Sequence, residues 1–193
     1  MGSKATIAML LAMAGAPALH GCKSEKKPET SNLVLHANGP DWVNSGTGAF
    51  ADETGKTFHG VGIVSGVRDA ALRRRMVDSR ARGEIQKTLE DFLDAIQKES
   101  PSAATESDAA EKQRIQLAMK ALAASDAGVR VVDHWVDTDS TEYALAHLDL
   151  ASFKQNLEKA KDLDARSKDA VRRNAERIFD ERSAEKASHT ARR

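Results

Sequence analysis

The chain has 193 residues, 40% hydrophobic and 30% charged but only 4% aromatic, so it has room for one ordinary domain with extensions, built on an aliphatic core. Basic and acidic residues number 29 each, a balance that removes any bulk electrostatic reason to bind nucleic acid or an anionic surface. The single cysteine, Cys22, excludes an intramolecular disulfide.

The first residues read as a targeting segment. Lys4 supplies a positive n-region and Ala5 to Leu19 an apolar h-region of the length a secretory signal needs, too short and too rich in Ala and Gly to span a bilayer. Leu19-His20-Gly21-Cys22 then resembles the lipobox of bacterial lipoproteins, with Leu three positions before Cys and a small residue directly before it; His20 departs from the usual small or apolar residue. The resemblance implies that residues 1–21 are a cleaved signal peptide and that Cys22 becomes the lipidated N-terminus, held in the membrane by several acyl chains. Lys23, where an Asp would retain the protein at the inner membrane, points to the outer membrane. The alternative is an ordinary secreted protein with a leftover thiol.

Residues 22–39 read as the lipidated N-terminus and a tether, because Lys23 to Gly39 is polar, contains Pro28 and has no helical period. As a coil it would span roughly 20–25 Å. Leu33-Val34-Leu35 is a candidate edge strand within it. Pro40-Asp41-Trp42-Val43 opens the folded part, with Trp42 packing as an aromatic lid or, alternatively, meeting a ligand. Asn44 to Gly55 holds three glycines and reads as a turn-rich approach to a strand.

Lys56 to Val64 is the first predicted strand. Its alternation places Phe58, Gly60, Gly62 and Val64 on one face and Thr57, His59, Val61 and Ile63 on the other, so two glycines share a face that a helix could approach closely. From Val67 the period becomes helical: Val77, Ala81, Ile85, Leu89, Phe92, Leu93 and Ile96 form one stripe, extended forward by Leu72 and Met76. Gly83 lies inside it, weakening the helix or allowing close packing, and Glu99-Ser100-Pro101 ends it. A second helix runs from about Asp108 to Ser125 on a narrow stripe of Ile115, Ala118, Met119 and Leu122, with Gly128 as its C-cap.

A hairpin follows, Val129 to Asp137 and Thr141 to Leu150 around Thr138-Asp139-Ser140. Strict alternation sets Val129, Val131, Asp133 and Trp135 against Arg130, Val132, His134 and Val136, and Glu142, Ala144, Ala146 and Leu148 against Tyr143, Leu145, His147 and Asp149. Residues 152–193 form a C-terminal helical extension, one long helix or two. Its first half (Phe153, Leu157, Ala160) packs on the sheet; its second (Val171, Ala175, Ile178, Phe179) projects or self-associates. The predicted architecture is α+β: a small three-stranded antiparallel or mixed sheet packed by helices over residues 40–151, with a long C-terminal helix.

Several of these pieces together resemble the Lpp-twenty-like family of outer-membrane lipoproteins: Pro40-Asp41-Trp42-Val43, Phe58-His59-Gly60-Val61-Gly62 with Gly66, the Arg-rich helix with Ala81-Arg82, Val132-Asp133-His134-Trp135, Tyr143-Ala144-Leu145 and Leu148-Asp149-Leu150. The resemblance covers about Pro40 to Leu150 and implies a small α+β domain without established catalytic residues. His59 stands where that pattern more often has an aromatic, and the C-terminal extension lies outside it.

The chemical candidates are few. Gly60-Val61-Gly62 with Gly66 misses the dinucleotide fingerprint by one position and is followed by a hairpin in place of a βαβ unit, and no Gly-Lys-Ser/Thr phosphate loop occurs. Close packing is the better reading of those glycines than a phosphate cradle. His59, His134, His147, Asp133 and Asp149 could meet as a metal or acid–base site, but Asp133 and His134 face opposite sides of their strand; no catalytic, cofactor or metal residues are assigned. Arg73, Arg74 and Arg75, with Arg80 and Arg82, are either a solvated face or a docking surface for an anionic partner. The function expected is that of a non-enzymatic, lipid-anchored envelope protein, structural or protein-binding, facing the periplasm or the cell surface. Its partners would be the membrane, through Cys22, and an envelope protein or cell-wall polymer, with Arg73, Arg74, Arg75, Trp42 and Trp135 as the docking surface. The alternative is a ligand-binding lipoprotein that takes a cell-wall or small-molecule ligand near Trp42, Trp135 and Tyr143.

Overall fold

The computed structural model describes residues 36–53, 55–99 and 109–192. The signal segment, Cys22, the tether with Leu33-Val34-Leu35, and the loop at 102–107 lie outside the described residues.

Among the described residues nine elements follow one another: α1 (Asp41–Ser45), β1 (Gly48–Asp52), β2 (Gly55–Val64), α2 (Ala70–Glu99), α3 (Ala109–Ala123), β3 (Arg130–Val136), β4 (Glu142–Asp149), α4 (Leu150–Lys159) and α5 (Ala165–Ala191). The sheet is antiparallel throughout, in the order β1-β2-β4-β3. It therefore has four strands where three were expected. The additional strand, β1, comes from the glycine-rich stretch read as a turn: Ala49 points into the core and Phe50 away from it, and a tight hairpin pairs Asp52 with Gly55.

The center of the fold is α2 lying on β2 and β4. All seven residues of its predicted stripe, from Val77 to Ile96, are buried, and each of the six larger than Ala81 is worth roughly 1.5–3 kcal/mol. Beneath them Gly60 pairs with Ala146 and Gly62 with Ala144. A Cβ at Gly60 would lie 2.3 Å from the Ala81 carbonyl oxygen and 2.8 Å from the Ile85 nitrogen; at Gly62 it would lie 2.3 Å from the Val77 carbonyl oxygen and 2.5 Å from the Ala81 nitrogen. The helix backbone thus rests directly on the strand backbone. The stripe does not extend to Leu72, which is 43% exposed because α2 has only begun there and overhangs the sheet end. Gly83 faces open space and serves no close packing.

Phe58, on the same face of β2, is the joint for the C-terminal helices. Its ring meets Phe92 of α2, Phe153 of α4 and Phe179 of α5 edge-on, at centroid distances of 5.1, 6.2 and 5.0 Å. The C-terminal segment is two helices, broken at Ala160–Asp164, where Leu163 turns inward and the Asp164 carboxylate accepts the Ser167 N–H to cap α5. The second of them does not project. Val171, Ala175, Ile178 and Phe179 are buried in the same core as β1 and α2, so the stripe offered for self-association is filled by the chain's own domain.

α3 flanks α2 through Ala118, Met119 and Leu122 and ends at Ala123. Gly128 is consequently no helix cap. It sits in the turn closed by Val129 N–H donating to Asp126 carbonyl, where its φ of +82° demands a residue without Cβ. In β3 a bulge between Val131 and Asp133 breaks strict alternation: Val131 pairs with Ala146 on the helix side, whereas Asp133 and Trp135 pair with Leu145 and Tyr143 on the other.

Two substitutions separate packing from helix propensity. Gly62→Val should cost about 3 kcal/mol or more of stability in chemical denaturation, because the helix cannot rise without unseating its stripe. Gly83→Ala, in open space on the same helix, should add about 0.5–1 kcal/mol.

Candidate functional site

The arginine run belongs to the helix side of the sheet. Glu142, at the start of β4, is 3% exposed under the first turns of α2. Arg73 donates through Nε to its Oε2 at 2.8 Å and through a terminal N–H to the Val67 carbonyl at 2.9 Å, while Arg74 donates to Glu142 Oε1 at 3.2 Å. Further along, Arg80 donates to the Ile63 carbonyl and Arg82 to the Val129 carbonyl. Two of the three consecutive arginines therefore hold one buried carboxylate, and the run fastens α2 to strand ends. Arg75 alone of the three has an exposed side chain and no bond to Glu142.

The helix N-terminus above the Gly-rich turn is occupied as well. The Asp69 carboxylate accepts the Leu72 N–H at 2.8 Å, filling with the chain's own anion the position that a phosphate would take. Together with the α2 backbone seated on Gly60 and Gly62, this leaves no phosphate cradle.

The opposite face of the sheet carries the remaining candidates. Val61, Tyr143 and Leu145 form a small second core with Val43 of α1, and Trp42 and Trp135 pack against it half-buried. Trp42 Nε1–H donates to Asp133 at 2.8 Å, which fixes the first tryptophan over β3. His36 sits edge-on to both Trp135 and Tyr143, at 5.4 and 5.1 Å. Its Nδ1 lies 2.7 Å from the Asp137 carboxylate and its Nε2 2.8 Å from the Tyr143 hydroxyl. A carboxylate only accepts, so Nδ1 carries a proton, and in the neutral ring Nε2 then accepts the phenol O–H. Asp137 is held below the usual carboxylate range by the Thr138 backbone N–H and by His36. Tyr143 is pushed above its ordinary value by burial and by Asp137 and Asp139, so its hydroxyl is not an activated nucleophile. The His36 backbone is tied down too, through paired bonds with the Asn44 side chain. This acid–His–phenol chain acts as a clamp on the point where the chain enters the domain.

Beside this cluster the rings of Phe50, His59 and His147 are stacked, at centroid distances of 4.3 and 4.2 Å across β1, β2 and β4. Burial above all pushes His59 down to about 4, with neighboring His147 and Lys186 adding to it; burial lowers His147 as well. His134 is elsewhere, bonded to Asp78 of α2 on the helix side, and Asp149 pairs with Arg130. Of the five sequence candidates for a metal site, His59, His147 and Asp149 come together on the outer face, whereas Asp133 is bonded to Trp42 and His134 lies on the helix side. Among the described residues no group of three or more His, Cys, Asp or Glu side chains is arranged to hold a metal ion.

The predicted alternation set His59 apart from the glycine face of β2 and His147 apart from Ala144 and Ala146, as the structure has them, but it grouped Trp135 with Val131, from which the bulge divides it, and gave no role to His36, Phe50 or Glu142. The last had a signal, a lone carboxylate on the apolar parity of its strand.

No protein-family model matches this chain, and no curated protein matches it.

The roles of the arginines are separable by stability. Arg73→Met leaves Glu142 buried beside a weaker partner and should cost about 3 kcal/mol in urea denaturation, whereas Arg75→Met should change it by less than about 0.5 kcal/mol. Equal effects would mean that Glu142 is not held as described.

Proposed function

We propose that this protein is a non-enzymatic lipoprotein of the bacterial outer membrane, anchored through Cys22, whose domain is a structural or protein-interaction module. The observation that carries the reading is the asymmetry of the sheet. One face is filled by α2, α4 and α5; the other leaves Trp42 and Trp135 half-buried and Ile63 47% exposed around a small core. Half-exposed tryptophans next to aliphatic surface are the composition of interaction hot spots. The His36 clamp brings the chain into the domain on this same face, fourteen residues after the cysteine, so covalent geometry limits the path from anchor to face to about 50 Å.

The partner proposed is an envelope protein or cell-wall polymer, met through the tryptophan face. Arg73 is largely buried in its pairing with Glu142, whereas Arg74, also bonded to Glu142, and Arg75 keep exposed side chains available to an anionic partner. The motif resemblance to the Lpp-twenty-like lipoproteins is consistent with an anchored domain without catalytic residues. It rests on those residues alone. No helix among the described residues is long and apolar enough to cross a membrane.

The test is photocrosslinking in native envelopes from benzoylphenylalanine at position 42 or 63, with position 154 on α4 as the control. Adducts to one envelope component from 42 and 63 but not from 154 are expected, together with an alkyne fatty-acid label that disappears in Cys22→Ala. Adducts from 154 alone, or a label that survives Cys22→Ala, would overturn the proposal. A ligand-induced change in tryptophan fluorescence without protein adducts would instead favor the small-molecule reading.

A further inference from the structure

Across the outer face, near the β1 edge, runs a column of side chains that crosses all four strands. Phe50 of β1 stacks on His59 of β2, His59 on His147 of β4 with only 11° between the planes, and His147 stands directly opposite Arg130 of β3. At the other end, Lys186 of α5 places its ammonium 5.7 Å from the centroid of the Phe50 ring. Its stem reaches there by crossing Gly48, where a Cβ would stand 3.3–3.5 Å from three of its carbons. A cation therefore caps each end of a ring column. Inside it, His59 Nδ1 and His147 Nε2 are buried without a hydrogen-bond partner. A proton added to either nitrogen would have no acceptor, and a proton added anywhere in the column would sit between two cations.

Beyond Phe179 the far end of α5 is held by polar contacts, Asp180 with Lys56 at 2.6 Å and Lys186 over the Phe50 ring. The last buried side chain of the helix is Phe179, and the following twelve residues to Ala191 bury none. These turns also wall a cleft of about 270 Å³, floored by Ala49, Phe58 and Phe92 and rimmed by Arg182 and His189.

The geometry points to an acid-sensitive latch, in which the neutral Phe50–His59–His147 column holds Lys186 and so the C-terminal turns of α5, and protonation of an imidazole releases them and opens the cleft. The charged groups facing the column are Asp52 from β1, Lys186 from α5, Arg130 from β3 and Asp149 from β4. The two carboxylates favor the proton and the two cations oppose it, with burial added to the opposing side.

The sign follows from linkage. Above pH 6.5 neither latched nor released His59 binds a proton, and the latch is indifferent to pH. Between 6.5 and about 4 the released form takes up a proton that the latched form refuses, so release is favored by up to tenfold per pH unit for each imidazole that titrates in this way. Below about 4 both forms are protonated and the dependence flattens.

Hydrogen exchange on the full chain, with rates divided by the intrinsic rate at each pH, reads this directly. Amides at 182–191 should lose protection by up to tenfold per pH unit from 6.5 to 4.5, while amides at 85–93 in the middle of α2 stay protected. His59→Phe with His147→Phe keeps the stack and removes both titrations, and in it the 182–191 amides should show no pH dependence. Parallel loss at 182–191 and 85–93, an unchanged slope in the double variant, or no slope in the natural protein would each overturn the latch. Should the double variant fail to fold, proton NMR titration of the two rings in the natural protein decides: midpoints below 6.5 support the latch, and midpoints at 6.5 overturn it.

Discussion

Everything in this fold hangs on four side chains being absent or nearly so. Gly60, Gly62, Ala144 and Ala146 make a smooth channel across β2 and β4, and the backbone of α2 lies in it at a distance no larger residue would permit. Because the helix sits so low, its arginines reach the strand ends. Arg73 and Arg74 arrive at Glu142, Arg80 at the Ile63 carbonyl and Arg82 at the Val129 carbonyl, so close packing and charge pairing are one arrangement. Four members of the basic run, Arg73, Arg74, Arg80 and Arg82, thus fasten the helix to strand ends.

Filling one face so completely decides what the other can do. The antiparallel register sends His59, Val61 and Ile63 outward from β2, and Tyr143, Leu145 and His147 outward from β4, directly opposite them. Only α1 and the segment from His36 are described over that face, enough to cover Val61 and Leu145 but not Ile63. Polar rings are suited to such a half-covered surface, since each can bury a face while its heteroatom finds a partner. Trp42 and Tyr143 find one, in Asp133 and His36. The buried nitrogens of His59 and His147 do not, and burial is what keeps those imidazoles neutral.

What was legible in the sequence was local and periodic. The stripe from Val77 to Ile96, the glycine face of β2 and the parity of β4 all follow from spacing alone, and all hold in the structure. What escaped was register and long-range pairing. β1 has a single side chain, Ala49, in the core and lies among glycines, so no alternation announced it. The bulge at Val132 reverses the parity of β3 without any glycine or proline to mark it. Arg73 and Glu142 are 69 residues apart, whereas the carboxylates near the run in sequence include Asp69 and Asp78. Those two carboxylates have other work, one capping α2 and the other meeting His134. His36 lies in a polar stretch with no pattern at all, and only tertiary structure reveals it as the clamp.

The β1 edge draws these points together. A five-residue edge strand with one buried residue is a weak element, and an open sheet edge invites pairing with another chain unless something covers it. Here the cover is α5, anchored firmly at Val171, Ala175, Ile178 and Phe179 and further along by polar contacts, Asp180 with Lys56 and Lys186 over the Phe50 ring. The sheet edge is thus guarded by a stretch of helix that has no buried side chain after Phe179, through contacts that depend on two neutral imidazoles. Local stability follows buried apolar contact, so the first part of this fold to open should be the end of α5, and what its opening uncovers is β1 and the cleft behind it. A protein that needed only rigidity would place an aliphatic residue at position 59; the histidine there makes the edge sensitive to the acidity of its surroundings.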